Sequence, residues 1–155
     1  MSTPDRARLA EIQREMQRST MFTVLLHHST ASKAGLNVTD AQCVNALKLD
    51  GPQTPGQLAQ LMGITTGGAI TAVIDRLERA GYVKRTRDPD DRRRVIVELV
   101  PENVAEFARY FEPISHAFHE RLGAYSDEDL AVLLRWLREN NEAMPGVIEE
   151  IRELP

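Results

Sequence analysis

The sequence predicts a mainly α-helical protein of the α+β class, in which one two-stranded β-hairpin interrupts a run of helices. Three observations predict it. Apolar residues recur at i, i+3, i+4 and i+7 over most of the chain, which is the helical period. In one window, 82–100, that period gives way to strand-like alternation around a polar tip. Cap and stop residues divide the helical stretches into short central pieces between two long terminal ones.

Leu9, Ile12 and Met16 open an apolar stripe that Met21, Phe22, Leu25 and Leu26 continue, giving a long first helix that ends before Gly35. Thr39-Asp40-Ala41-Gln42 has the form of a capping box ahead of Cys43, Val44, Ala46, Leu47 and Leu49, and that helix stops at Asp50-Gly51-Pro52. Thr54-Pro55-Gly56-Gln57 repeats the device, with Pro at the first helical position, and starts a short helix over 55–62. Gly63 ends it. Thr65 or Thr66 caps the next helix, whose Ile70, Val73, Ile74 and Leu77 form one face. After Ala80-Gly81 come strands over 82–86 and 94–100 around a tip at 87–93, with Val95, Val97 and Leu99 alternating against Ile96 and Glu98.

From Pro101 a second long helix carries Val104, Phe107, Ala108, Phe111, Ile114, Phe118 and Leu122, and Pro113 inside it is predicted to kink or loosen it. Ser126-Asp127-Glu128-Asp129 caps the last helix; these carboxylates complement a helix dipole and do not suggest catalysis. Its stripe of Leu130, Leu133, Leu134 and Leu137, resumed by Val147, Ile148 and Ile151, is interrupted at Met144-Pro145-Gly146. No internal repeat or low-complexity segment is visible.

With 155 residues, 42% of them hydrophobic, the chain can bury one core. Its single cysteine allows no internal disulfide or cysteine metal cage. The first 17 residues are strongly charged and the longest nearly apolar stretch is 21–26, so neither a signal peptide nor a membrane span is expected, and a cytoplasmic location follows. The net charge of −4 hides an asymmetry. Residues 76–94 hold eight basic side chains (Arg76, Arg79, Lys84, Arg85, Arg87, Arg92, Arg93, Arg94) against four acidic ones, so this segment carries +4 and the remainder −8. A charge run is ordinarily a solvated surface. Position separates the two readings.

Helix, tight turn, helix and hairpin in succession make a winged helix-turn-helix, with the second helix suited to a major groove and the hairpin beside it. The basic block follows that route from helix to strand to tip, which points to double-stranded DNA. The module spans 37–100. Residues 1–36 and 101–155 then form a helical region whose stripes exceed what so small a module can bury, so a homodimer is expected in preference to a monomeric bundle.

The stretches Leu58-Ala59 to Gly63, Thr66-Gly67-Gly68-Ala69-Ile70-Thr71, Asp75-Arg76-Leu77-Glu78-Arg79-Ala80-Gly81-Tyr82-Val83 and Asp88-Pro89-Asp90-Asp91-Arg92-Arg93 resemble the reading helix and wing of the MarR (multiple-antibiotic-resistance regulator) family. The resemblance implies a dimer on a pseudo-palindromic operator, usually a repressor, often released by a small phenolic or otherwise apolar ligand or by oxidation. It also implies that Asp91 and Arg93 are the wing-tip signature pair, with Arg93 the best candidate for the minor groove. The DNA-binding set is then Thr65, Thr66, Gly67, Gly68, Thr71, Arg76, Arg79, Lys84, Arg85, Arg87, Asp91, Arg92, Arg93 and Arg94. An effector cleft would be lined by Leu25, His28, Leu47, Phe107 and Phe111, for which core packing is the competing reading.

Two departures from the family pattern stand out. The reading helix has Ala72 and Val73 at its middle and Gly67-Gly68 in its first turn, so few side chains can read bases; Val100 stands where a Ser or Thr cap is usual. A winged helix that docks on protein without binding DNA is therefore the alternative. Cys43, in an apolar stripe, reads as a small buried hydrophobe. His116 and His119, with His27 and His28, lack acidic companions at metal-ligand spacing. No catalytic motif is present, and neither an enzyme nor a cofactor beyond a small-molecule effector is expected.

Overall fold

The computed structural model describes residues 5–155. Among these, the elements in order are α1 (Arg6–Lys33), α2 (Val38–Asp50), α3 (Pro55–Leu61), α4 (Gly67–Arg79), β1 (Val83–Arg87), β2 (Val95–Leu99), α5 (Pro101–Ala108), a 3-10 turn (Arg109–Phe111), α6 (Glu112–Leu122) and α7 (Asp127–Arg152). The mainly α architecture with one antiparallel pair is as expected. The chain divides into two compact units, Met1–Phe111 and Glu112–Pro155. No helix of the described residues is long and apolar enough to cross a membrane.

In the first unit the core is built from α2, α3, α4 and the wing root. Val44, Leu58, Ile74, Leu77, Val83 and Val97 are fully buried, and Ala31 of α1 and Phe107 of α5 close the cluster. Each such side chain contributes roughly 1.5–3 kcal/mol by leaving water. Aromatic rings extend the packing: Tyr82 meets Phe107 edge-on at 5.8 Å, and Phe107 meets Phe111 at 5.1 Å.

Sharp helix ends fix these positions. At α3, Gly63 donates to Gln60 and Ile64 to Ala59; at α4, Gly81 donates to Glu78 and Tyr82 to Leu77. Both are two-bond αL terminations, and Gly63 and Gly81 have the positive φ (65° and 80°) that this turn needs. At Gly81 a Cβ would in addition stand 2.8 Å from Asn103 Nδ2, which donates to the Gly81 carbonyl, so a side chain there would have to displace that amide.

The capping box at Thr54 and Gln57 forms as expected, and Ser126 caps α7. Two expectations need correction. The cap of α2 is Asn37, whose Oδ1 accepts the Asp40 N–H at 2.8 Å, so Thr39 already lies within the first turn. One pairing lies outside the expected elements: Gln53 and Val97 form an antiparallel bridge and exchange both backbone hydrogen bonds, at 3.1 and 2.8 Å. The second correction is at α7, which runs unbroken through Pro145. A proline there deletes one N–H, and the acceptor it abandons, on exposed Asn141, can turn to water. Pro113 behaves as expected, since the long second helix divides there at the 3-10 turn, leaving Pro113 in the first turn of α6. Despite its uncapped Val100, α5 starts at Pro101.

The terminal helices differ from the core. Leu9, Ile12, Met21, Phe22 and Leu25 on α1 are exposed, as are Phe118 on α6 and Leu134, Leu137, Val147, Ile148 and Ile151 on α7.

Candidate nucleic-acid interface

The hydrophobic face of α4 is set by its sequence: Ile70, Val73, Ile74 and Leu77 turn inward, which leaves Thr71, Ala72 and Arg79 outward. Val73 is therefore core and was never available to read bases. Thr66 occupies the N-cap without a side-chain cap bond, and Thr65, Thr66, Gly67 and Gly68 are all exposed. A Cβ at Gly67 or Gly68 would meet open space and neither has positive φ, so the fold itself requires no glycine there. Backbone N–H groups at this turn can approach a phosphate closely. The Thr71 hydroxyl donates back to the Gly67 carbonyl at 2.8 Å.

The basic side chains fall into two groups. Arg76 and Arg85 are engaged within the protein. Arg76 forks onto Asp40 of α2, Nη2 to Oδ1 at 2.6 Å and Nε to Oδ2 at 3.0 Å; the Asp40 side chain is only 4% exposed. The hydrogen bond to Asp40 is the main reason the Arg76 guanidinium holds its proton above the ordinary range. Arg85 binds Asp75 at 2.5 Å and also Glu78. Burial opposes the Arg85 charge, and the hydrogen bonds to the two carboxylates outweigh it, so its pKa rises. Thus two of the eight cations of the basic block are paired with carboxylates of the helix-turn-helix.

The others line the wing and the end of α4. Arg79 keeps a local bond to the Asp75 carbonyl (3.2 Å), Lys84 pairs across the strands with Glu98 (3.4 Å), and Arg87 reaches the Arg92 carbonyl (3.4 Å). At the tip the acidic residues form the turn. Asp88 Oδ1 accepts the N–H groups of Asp90 (2.9 Å) and Asp91 (3.3 Å), while Oδ2 lies 3.5 Å from Arg94. Asp91 Oδ1 accepts the Arg93 N–H at 3.1 Å and lies 3.4 Å from its Nε. Asp91 thus presents Arg93, whose side chain is 93% exposed, beyond the end of the hairpin. Arg92 is exposed beside it.

The expected effector residues are not equivalent. Leu47 and Phe107 belong to the core and Phe111 packs on it, whereas Leu25 and His28 are exposed on α1. Cys43 is fully buried, and burial, with Asp40 nearby, pushes its thiol up to about 11, well away from a reactive thiolate. His116 lies 3.6 Å from Glu120, and His119 Nδ1 donates to the Ser115 carbonyl at 2.8 Å. Among the described residues, no group of three or more His, Cys, Asp or Glu side chains is placed to hold a metal.

Residues 34–94, which hold the whole helix-turn-helix and most of the wing, match the MarR family. The uncharacterized HTH-type transcriptional regulator YcgE of Bacillus subtilis is 34% identical over 131 residues, 84% of each chain. The multiple antibiotic resistance protein MarR of Salmonella typhimurium is 26% identical over 106 residues, 68% of this chain and 73% of that protein. Among solved structures, a MarR family protein from Bacillus stearothermophilus superposes with a TM-score of 0.70 at 21% identity, over 92% of this chain and 99% of that one. Wild-type MarR of Escherichia coli in its apo form gives 0.54 at 20%, over 90% and 98%. The extent of the match to YcgE, together with the winged helix and its arginine-bearing tip, places the chain in the MarR family of DNA-binding transcription regulators, which are not enzymes.

Proposed function

We propose that the protein is a cytoplasmic repressor that binds a pseudo-palindromic operator as a homodimer. The two α4 helices would enter successive major grooves about 34–36 Å apart, with the wings beside them. The observation that carries this reading is the wing tip, where Asp91 holds the almost fully exposed Arg93 at the end of a hairpin continuous with the reading helix. The exposed stripes of α1, α6 and α7 support a dimer, because a second copy would remove them from water. Release by a small apolar or phenolic ligand is part of the proposal, and exposed Leu25 and His28 and half-buried Phe111 are the expected residues such a ligand reaches without opening the core.

Selection of bound fragments from genomic DNA, followed by a salt titration on the enriched site, tests the reading. With about four phosphate contacts per protomer, the log–log slope is expected near −7, and Arg93→Ala should weaken binding without lowering the melting temperature. A chain that enriches no DNA would instead favour docking on protein.

A further inference from the structure

The side of α4 that meets the wing carries two carboxylates, and one strand residue takes both. Arg85 on β1 donates one arm of its guanidinium to Glu78 and the other to Asp75 at 2.5 Å. Glu78 also accepts the backbone N–H of Arg85 at 3.1 Å, so a single carboxylate grips main chain and side chain together. Three charge-assisted hydrogen bonds converge where the helix and the strand run past one another.

We infer that Arg85 is a positioning residue and not a phosphate contact: the Asp75–Arg85–Glu78 clamp fixes the angle between the reading helix and the wing. Charge is the first argument. Two carboxylates on one guanidinium leave the cluster at −1, which repels phosphate. Shape is the second. The planar fork of an arginine suits two acceptors at once, both arms are used, and only 28% of the side chain is exposed. Leverage is the third. β1 leaves α4 through the turn at Gly81 and packs Val83 into the core. β2 is tied at Val97 to Gln53, and the clamp ties β1, whose Arg85 stands opposite Val97, directly to α4, which fixes the spacing between α4 and Arg93 from the helix side.

This inference rests on the DNA-binding reading, and the test separates the two. Asp75→Asn, Glu78→Gln and Arg85→Gln are compared with wild type on the enriched operator and on a random duplex across a salt series. The two roles predict opposite signs for the carboxylate variants. If only charge matters, removing an anion beside DNA and releasing Arg85 strengthens binding. If the clamp positions the wing, each variant weakens operator binding by about tenfold, the equivalent of one charge-assisted hydrogen bond, with random-duplex binding and salt slope unchanged. Arg85→Gln should match Glu78→Gln, and the double variant should be no weaker than either single one.

Carboxylate variants that bind the operator as tightly as wild type, or more tightly, overturn the inference. So does an Arg85→Gln protein whose salt slope falls by about 0.9 per protomer. Asp75→Asn keeps both Glu78 bonds in place and remains a folded test if Glu78→Gln melts early. A wild-type protein that binds neither duplex overturns the DNA reading itself.

Discussion

In α4 every apolar stripe residue, Ile70, Val73, Ile74 and Leu77, is at most 3% exposed, whereas on α1 Leu9, Ile12, Met21 and Phe22 are about half exposed with the same helical spacing. The contrast teaches that periodicity identifies a helix and its apolar face without saying whose surface covers that face. In the winged module the chain covers it with its own α2, α3 and wing root. In the terminal helices it does not, and the stripe becomes a demand for a partner.

Three variants sharpen or break that contrast. The largest effect is expected from Leu77→Ala, fully buried in the last turn of α4: a loss of about 2–5 kcal/mol in denaturant melts, because the surrounding packing collapses only partly around a cavity. A loss below about 1 kcal/mol would mean that this core is looser than its burial indicates.

On α7, the double variant Ile148→Glu, Ile151→Glu should leave the winged module folded and convert the particle to a 17.4 kDa monomer by light scattering. Each side chain forfeits roughly 1.5–3 kcal/mol of burial between copies. An unaltered dimer would remove this face from the interface.

The smallest effect, and the one with two signs, belongs to Gly68→Ala. Alanine stabilises the helix by up to about 1 kcal/mol, which raises the melting temperature by about 2–4 °C in a chain of this size. The added methyl should nonetheless weaken operator binding by keeping phosphate from the helix N-terminus. Unchanged affinity would leave the glycine pair unexplained by the interface.

Features set by neighbouring residues were legible in the sequence: the Thr54–Gln57 capping box, the glycine stops at 63 and 81, the hairpin to within a residue, and the break before Pro113. Where two local signals competed, as with Asn37 and Thr39, the choice depended on where the chain emerges from the preceding turn. The pairings that organise the interface were not legible. Asp40 and Arg76 are 36 residues apart, and Gln53 meets Val97 only after the hairpin folds back. The single hint at the first pair was a charged residue beside the apolar run of Ala41, Cys43 and Val44, where a buried carboxylate needs a cation. The basic block could be read from the sequence, but counting charges could not tell an exposed cation such as Arg93 from Arg76 and Arg85, which are paired with carboxylates of α2 and α4.

The bridge at Gln53 gives β2 a second backbone neighbour, on the side away from β1. Mechanically, the wing is then a cantilever with two mountings at its root, one through β1 into α4 and one through the loop between α2 and α3. A bending load at Arg93 is shared between both mountings, so compliance concentrates in the turn that Asp88 and Asp91 hold together. Such a beam can adapt its tip to the width of a groove while its base keeps the reading helix aligned.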